Sequence, residues 1–367
     1  MTRKTILIAG ATGVVGHAAL EHFSALPEWR VLAVSRRRPE LPAGFDGVHL
    51  PLDLGDPQAC RAALEAHAGV THVIYAALHE QPGLVRGWRD ADQMRTNLAM
   101  LRNLLEPLTG SGSKLEHVSL LQGTKAYGVH LHPVAVPARE RLPRDPHENF
   151  YWLQEDWLRE RARAQGFALT IWRPQLIFGD QTGVAMNLIP VIGAYAAICG
   201  ELGMPMSYPG GPSNILEATD ARLLARAFAW AAQAPAARGA TFNVTNGDVF
   251  VWRNVWPAIC DALGVEPGPD VPRSMAAWLP AQTEVWNRVV TRHGLRPTGL
   301  PELLGESHHY ADFCFGFHAK APPPPVIVST IRLREAGFGD CIDTERMFRE
   351  WFGVMQAKRV LPDSGGR

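Results

Sequence analysis

Short apolar runs recur along the first half of the chain, separated by stretches whose apolar residues fall at helical spacing. Runs at 5–9, 31–35, 48–52, 72–76, 115–121 and 168–172 are nearly continuous in hydrophobic residues. Strands of that kind are buried on both faces, as in a parallel sheet. Between them, 90–108 carries Met94, Leu98, Leu101, Leu104, Leu105 and Leu108 three or four residues apart, the stripe of a helix lying on a core. Alternation of the two patterns predicts βαβ units and an α/β, doubly wound Rossmann sheet.

Past about residue 180 the pattern changes. The sequence predicts an apolar helix over 184–199, then a helix capped by Thr219 or Asp220 and running to about Ala232. A strand at 241–244 returns to the sheet, and from Val249 the chain reads as irregular, with Trp252, Trp256, Trp278 and Trp286 among many prolines. Four prolines at 322–325 form an extended spacer. The expected organisation is a Rossmann domain over 1–183 with return elements about 218–247. A smaller, mainly helical substrate-binding lobe follows from 184–217 and 248–362, with a short tail at 363–367.

Composition narrows the function. Hydrophobic residues make up 46% of 367, enough for a large core. Lys+Arg and Asp+Glu are each 36, so no net charge draws the chain to nucleic acid or an anionic membrane. No apolar run approaches the roughly 20 residues of a membrane span. Residues 1–4 run straight into a strand, so a cytoplasmic location is expected. The scattered cysteines at 60, 199, 260, 314 and 341 read as reduced thiols. The expected partner is a small-molecule substrate, and the expected state a monomer or homodimer.

The segment ILIAGATGVVG joins the first strand to the first helix. Gly10 permits a tight turn, Gly13 close approach of backbone to a pyrophosphate, and Gly16 close packing of helix on sheet. Thr12, Val14 and Val15 complete that turn, whose N–H groups face the phosphates. At the end of the second strand, where an NAD enzyme usually carries an acid, stand Ser35, Arg36, Arg37 and Arg38. Guanidinium groups fit a 2′-phosphate, so NADP(H) is the expected cofactor, with Arg36 and Arg37 as its ligands. Asp53 and Leu54 end the third strand at the adenine, with a cap on the helix beginning near Asp56 as the alternative for Asp53.

The usual catalytic Tyr-x-x-x-Lys spacing is absent: Tyr127 is followed by Leu131, and Tyr151 by Glu155. A Lys and a Tyr at the carboxyl edge of the sheet remain, Lys125 after the fifth strand and Tyr151 opening the next helix. The segments LQGTKAY, NFYWLQED, WRPQLIFG, FNVTNGDVFVW and HHYADF resemble the progesterone 5β-reductase / iridoid synthase-like family of atypical extended short-chain dehydrogenases. The resemblance spans about residues 5–362. It implies NADPH-dependent reduction of the activated C=C bond of enones or enals, with Tyr151 and Lys125 as the catalytic pair. It further implies cofactor contacts from Ala77, Leu78, Gln122, Ile177 and Met186, and substrate contacts from Tyr310, Leu78 and Tyr127. Four departures surround the substrate: LLQG shifts Gln122 by one place, Leu78 replaces an aromatic, the 128–148 loop is short, and 322–325 looks inserted.

The competing readings are a carbonyl reductase, a nucleotide-sugar epimerase/dehydratase and a non-catalytic NADP-sensing regulator. The paired histidines His130/His132 and His308/His309 lack companions at metal-ligand spacing, so no metal is expected.

Overall fold

A computed structural model describes residues 3–82, 84–110 and 112–364. Part of the expected tail, 365–367, lies outside the described residues. Seven parallel strands form the main sheet: β1 Lys4–Ala9, β2 Trp29–Ser35, β3 Val48–Pro51, β4 His72–Tyr75, β5 His117–Leu121, β6 Ala168–Pro174 and β10 Thr241–Val244. Their order is β10-β6-β5-β4-β1-β2-β3. The order reverses between β1 and β4, and ligands of such sheets bind beyond the carboxyl ends at that crevice. Two minor pairs lie outside the sheet: β7 Leu176–Phe178 with β9 Ala218–Asp220, and β8 Met206–Ser207 with β11 Pro267–Gly268.

Helices α1 Val14–Ser24, α2 Pro57–Glu65, α3 Ala91–Leu105, α4 Phe150–Gln165, α5 Leu188–Glu201 and α6 Ala221–Ala231 connect the strands. Side-chain caps set where most of them start. Asp56, Asp90, Asn149, Asn187 and Asp220 each accept from a backbone N–H in the first turn of α2 to α6 respectively. The α6 cap is thus Asp220 rather than Thr219. The expected 184–199 helix begins four residues later, at Leu188, because Asn187 caps it and 183–186 form an irregular bend along a cavity.

The segment from Val249, irregular in its local pattern but expected to build a mainly helical lobe, is largely helical. It contains α7 Trp252–Ala262, α8 Met275–Trp278, α9 Thr283–His293, α10 Leu300–Leu304, α11 Ser307–Cys314, α12 Ile331–Glu335 and α13 Thr344–Ala357. Tertiary burial overrides the prolines here: Trp252, Trp286, Phe315 and Phe348 are almost fully buried, each contributing roughly 1.5–3 kcal/mol. Their rings join the core on one sheet face, which runs without a break from Ile6 of β1 to Met355 of α13. A separate core on the other face packs α2, α3 and α4 against the same strands. The prolines at 322–325 have no regular structure and lead to Val328, which bridges to Ala138.

Candidate functional site

A cavity of about 700 Å³ opens along the carboxyl edge of the sheet. At its centre is the turn between β1 and α1. Gly10 has φ +86°, and a Cβ there would stand 2.8 Å from the Ala76 carbonyl oxygen. A Cβ on Gly16 would stand 2.1 Å from the Gly10 carbonyl oxygen, so α1 packs onto its own turn only through glycine. Gly13 caps α1 without a side-chain bond. The first-turn N–H groups of this helix therefore face the cavity with no side-chain acceptor, which fits a pyrophosphate there.

One end of the cavity is formed by Val34, Ser35, Arg36, Arg37, Asp53 and Leu54. Neither Arg36 nor Arg37 pairs with a carboxylate among the described residues. Asp53 accepts from Gly55 N–H at 2.8 Å, while Asp56 caps α2, so the helix-cap role weighed for Asp53 falls on Asp56. The residues present thus fit a nicotinamide dinucleotide on a Gly-rich turn.

The other end holds Ala77, Leu78, Lys125, Tyr151, Ile177, Met186 and Tyr310. Asn149 brings Lys125 and Tyr151 together. Its Oδ1 accepts from the Tyr151 N–H at 3.0 Å and its Nδ2 donates to the Lys125 carbonyl at 3.3 Å. One cap therefore joins the 3-10 turn Thr124–Tyr127 to the start of α4. The Tyr151 ring is buried among Met94, Ala126, Phe150 and Trp152. Its hydroxyl makes no hydrogen bond to another described residue and lies 3.2 Å from where a Cβ on Gly123 would stand. Burial pushes the phenol well above its ordinary pKa, with the Glu80 charge adding to the rise, so it remains a donor.

The Lys125 ammonium sits 4.1 Å from the centre of the Trp88 ring and 3.8 Å from Glu80 Oε1. Burial lowers its pKa to about 8, opposed by the Glu80 charge. Tyr310 stacks on the half-exposed ring of Phe313, with centroids 6.3 Å apart. Its phenol is also driven up by burial.

Two expected contacts are placed differently. Tyr127 does not line the cavity: its hydroxyl donates to Asn243 at 2.7 Å and its ring packs on Ala138 and Val328. Gln122 borders the cavity, but its side-chain amide is bound elsewhere. Oε1 accepts from Arg173, and Nε2 donates to Glu155 at 3.0 Å and to the Tyr151 carbonyl. Glu155 also pairs with Arg159 and Arg144, so Gln122 belongs to an ionic network that anchors α4. Gly16 lies behind the turn rather than in the cavity wall. Residues not anticipated at the site include Glu80, Trp88 and Phe313. His132 and His147 both pair with Asp145, and no group of three metal-ligating side chains occurs among the described residues. Among the same residues no helix is long and apolar enough to cross a membrane.

The chain is similar to several known proteins over nearly its whole length. The chain is 29% identical over 381 residues to an (S)-8-oxocitronellyl enol synthase of Antirrhinum majus, covering 98% of this chain and 93% of the relative. It is also 29% identical over 378 residues to a 3-oxo-Delta(4,5)-steroid 5-beta-reductase of Arabidopsis thaliana, covering 97% and 92%. The fold matches that of a Thermus thermophilus UDP-glucose 4-epimerase solved with NAD, with a TM-score of 0.67 at 17% identity over 96% of this chain and 99% of that one. A family model matches residues 6–245, which carry the whole main sheet except Lys4 and Thr5 of β1, together with the cofactor turn, Lys125 and Tyr151, and the chain belongs to the NAD dependent epimerase/dehydratase family.

Proposed function

We propose that this protein is an NADPH-dependent reductase of the activated C=C bond of enones or enals. The observation that carries the reading is the Asn149 cap, which holds Tyr151 and Lys125 at one end of the cofactor cavity although 26 residues separate them and the usual spacing is absent. Near full-length similarity to an enol synthase and a steroid 5-beta-reductase supports the same chemistry. Ser35, Arg36 and Arg37 at the end of β2, with no acid beside them, favour NADP over NAD.

Bound NADPH would supply a hydride to the β-carbon of the substrate. The residues of the chain manage the charge that then develops on the carbonyl oxygen. The Tyr151 hydroxyl, fixed by its packed ring and without a hydrogen-bond partner among the described residues, donates to that oxygen as the enolate forms. Lys125 adds a positive charge beside the site, screened from water by Trp88. Apolar walls from Leu78, Ile177, Met186 and Phe313 receive the carbon skeleton. Incubation with 2-cyclohexen-1-one and NADPH tests the reading: the product should be the saturated ketone, and an allylic alcohol would place the protein among carbonyl reductases.

A further inference from the structure

The segment leaving β4 crosses the Tyr151 end of the cavity before it reaches α3, and α3 holds it on both sides of Glu80. Asn97, fully buried, accepts from the His79 N–H and donates to the His79 carbonyl, both at 2.9 Å. Gln93, almost fully buried, accepts from the Gln81 N–H at 2.9 Å. With both neighbours clamped, the Glu80 side chain has a set place in the cavity wall, where it is only 6% exposed. Its Oε2 accepts from Gln93 Nε2 at 2.7 Å. Its Oε1 has no hydrogen-bond partner and faces Lys125 Nζ at 3.8 Å.

We propose that Glu80 is the positioning residue of the site: it holds the Lys125 ammonium against Trp88 and keeps it charged. The inference rests on the assignment of Lys125 to the reaction. A half-buried ammonium without a counter-charge loses its proton, because desolvation penalises the charged form. Among the described residues Glu80 is the carboxylate whose charge acts on Lys125. His130, from the loop ahead of α4, feels the positive charge of Lys125. His79 acts on Glu80, and Tyr151 of α4 feels the charges of Glu80 and of Arg173 on β6. None of these others can replace Glu80 as the anion. The Gln93 bond satisfies one carboxylate oxygen, and Lys125 and the Trp88 side chain act with it against the burial that raises the pKa of Glu80.

Pulse acetylation of the full chain with acetic anhydride, read at Lys125 by peptide mass spectrometry across pH, reports the titration of this amine with no substrate present. In the wild type half-labelling should fall near pH 8. Glu80→Gln keeps an acceptor for Gln93 but removes the charge, and should lower the midpoint by roughly 1–3 pH units, the usual effect of an opposite charge at this range. Glu80→Asp withdraws the carboxylate by one methylene and should lower it by less. The alkaline limb of kcat for any accepted substrate should move in the same order. Melting curves establish that each variant is folded, and should Glu80→Gln fail to fold, Glu80→Asp carries the test alone. A midpoint unmoved or raised in the folded variants overturns the proposal. Labelling is indifferent to which bond is reduced, so failure of the enone reading would leave this result intact and be seen separately.

Discussion

Replacing Tyr151 by Phe removes one oxygen and tests the chemistry with little cost to the fold. The ring keeps its contacts with Met94, Ala126, Phe150 and Trp152, including an edge-on contact with Phe150 at 4.5 Å. The hydroxyl has no hydrogen-bond partner among the described residues, so none of their donors or acceptors is orphaned, and stability should change by no more than about 0.5 kcal/mol. The lost bond matters only when negative charge builds on the substrate oxygen. Removing one such donor costs about 2.7–4 kcal/mol, or 10²–10³ in rate. The loss should fall on kcat, with KM for the enone nearly unchanged, because the bond strengthens on the way to the enolate. Steady-state NADPH oxidation with wild type and variant, beside thermal melting of both, gives the two numbers. A folded variant whose kcat lies within about threefold of wild type, less than 1 kcal/mol, would refute the role of Tyr151. Tyr310, in the same cavity, would then be the candidate donor.

Two further outcomes follow from the same geometry. Arg36→Ala with Arg37→Ala should raise KM for NADPH roughly ten- to a hundredfold, the worth of a charged hydrogen bond, while KM for NADH stays near its wild-type value; a wild-type preference for NADH would contradict the reading of β2. Glu217, away from the cavity wall, is 5% exposed and accepts from the Val328 N–H at 2.7 Å. Burial raises its pKa to about 7. An acid whose folded pKa lies above its unfolded value destabilises the fold increasingly as pH rises from about 4.5 to 7. Glu217→Gln should recover up to about 3 kcal/mol at pH 8 and little at pH 4.5, read as a pH-dependent gain in melting temperature; an equal gain at both pH values would point to packing instead.

The strands were legible because burial on both faces leaves an unbroken apolar run, as in ILIA of β1 and VLAVS of β2. The cofactor turn was legible because Gly10 and Gly16 are demanded by backbone contacts that a side chain would not allow. The C-terminal helices were harder to see. Pro257 lies inside α7, and tryptophans at irregular intervals masked the helical period. Yet α13 buries Met347, Phe348, Trp351, Phe352 and Met355, a clear three- and four-residue stripe. At the site, Lys125 and Tyr151 were readable from their place at the sheet edge. Asn149 carried a usable signal, an N-cap residue directly before an aromatic helix start. Glu80 carried none: an acid in a loop looks solvated until Gln93 and Asn97 are seen to bury it. Tyr127, expected at the substrate, lies outside the cavity wall for the converse reason, and the side-chain amide of Gln122, which does border the cavity, is turned to protein partners. Their polar groups are taken up by Arg173, Glu155 and Asn243, all distant in sequence.

The central claim is that hydride reaches the β-carbon while Tyr151 holds the carbonyl oxygen. Turnover of 2-cyclohexen-1-one with NADPH deuterated at nicotinamide C4, followed by NMR of the product, locates the transferred atom. The account predicts deuterium on the β-carbon of a saturated ketone, and deuterium on the carbinol carbon of an allylic alcohol would contradict it.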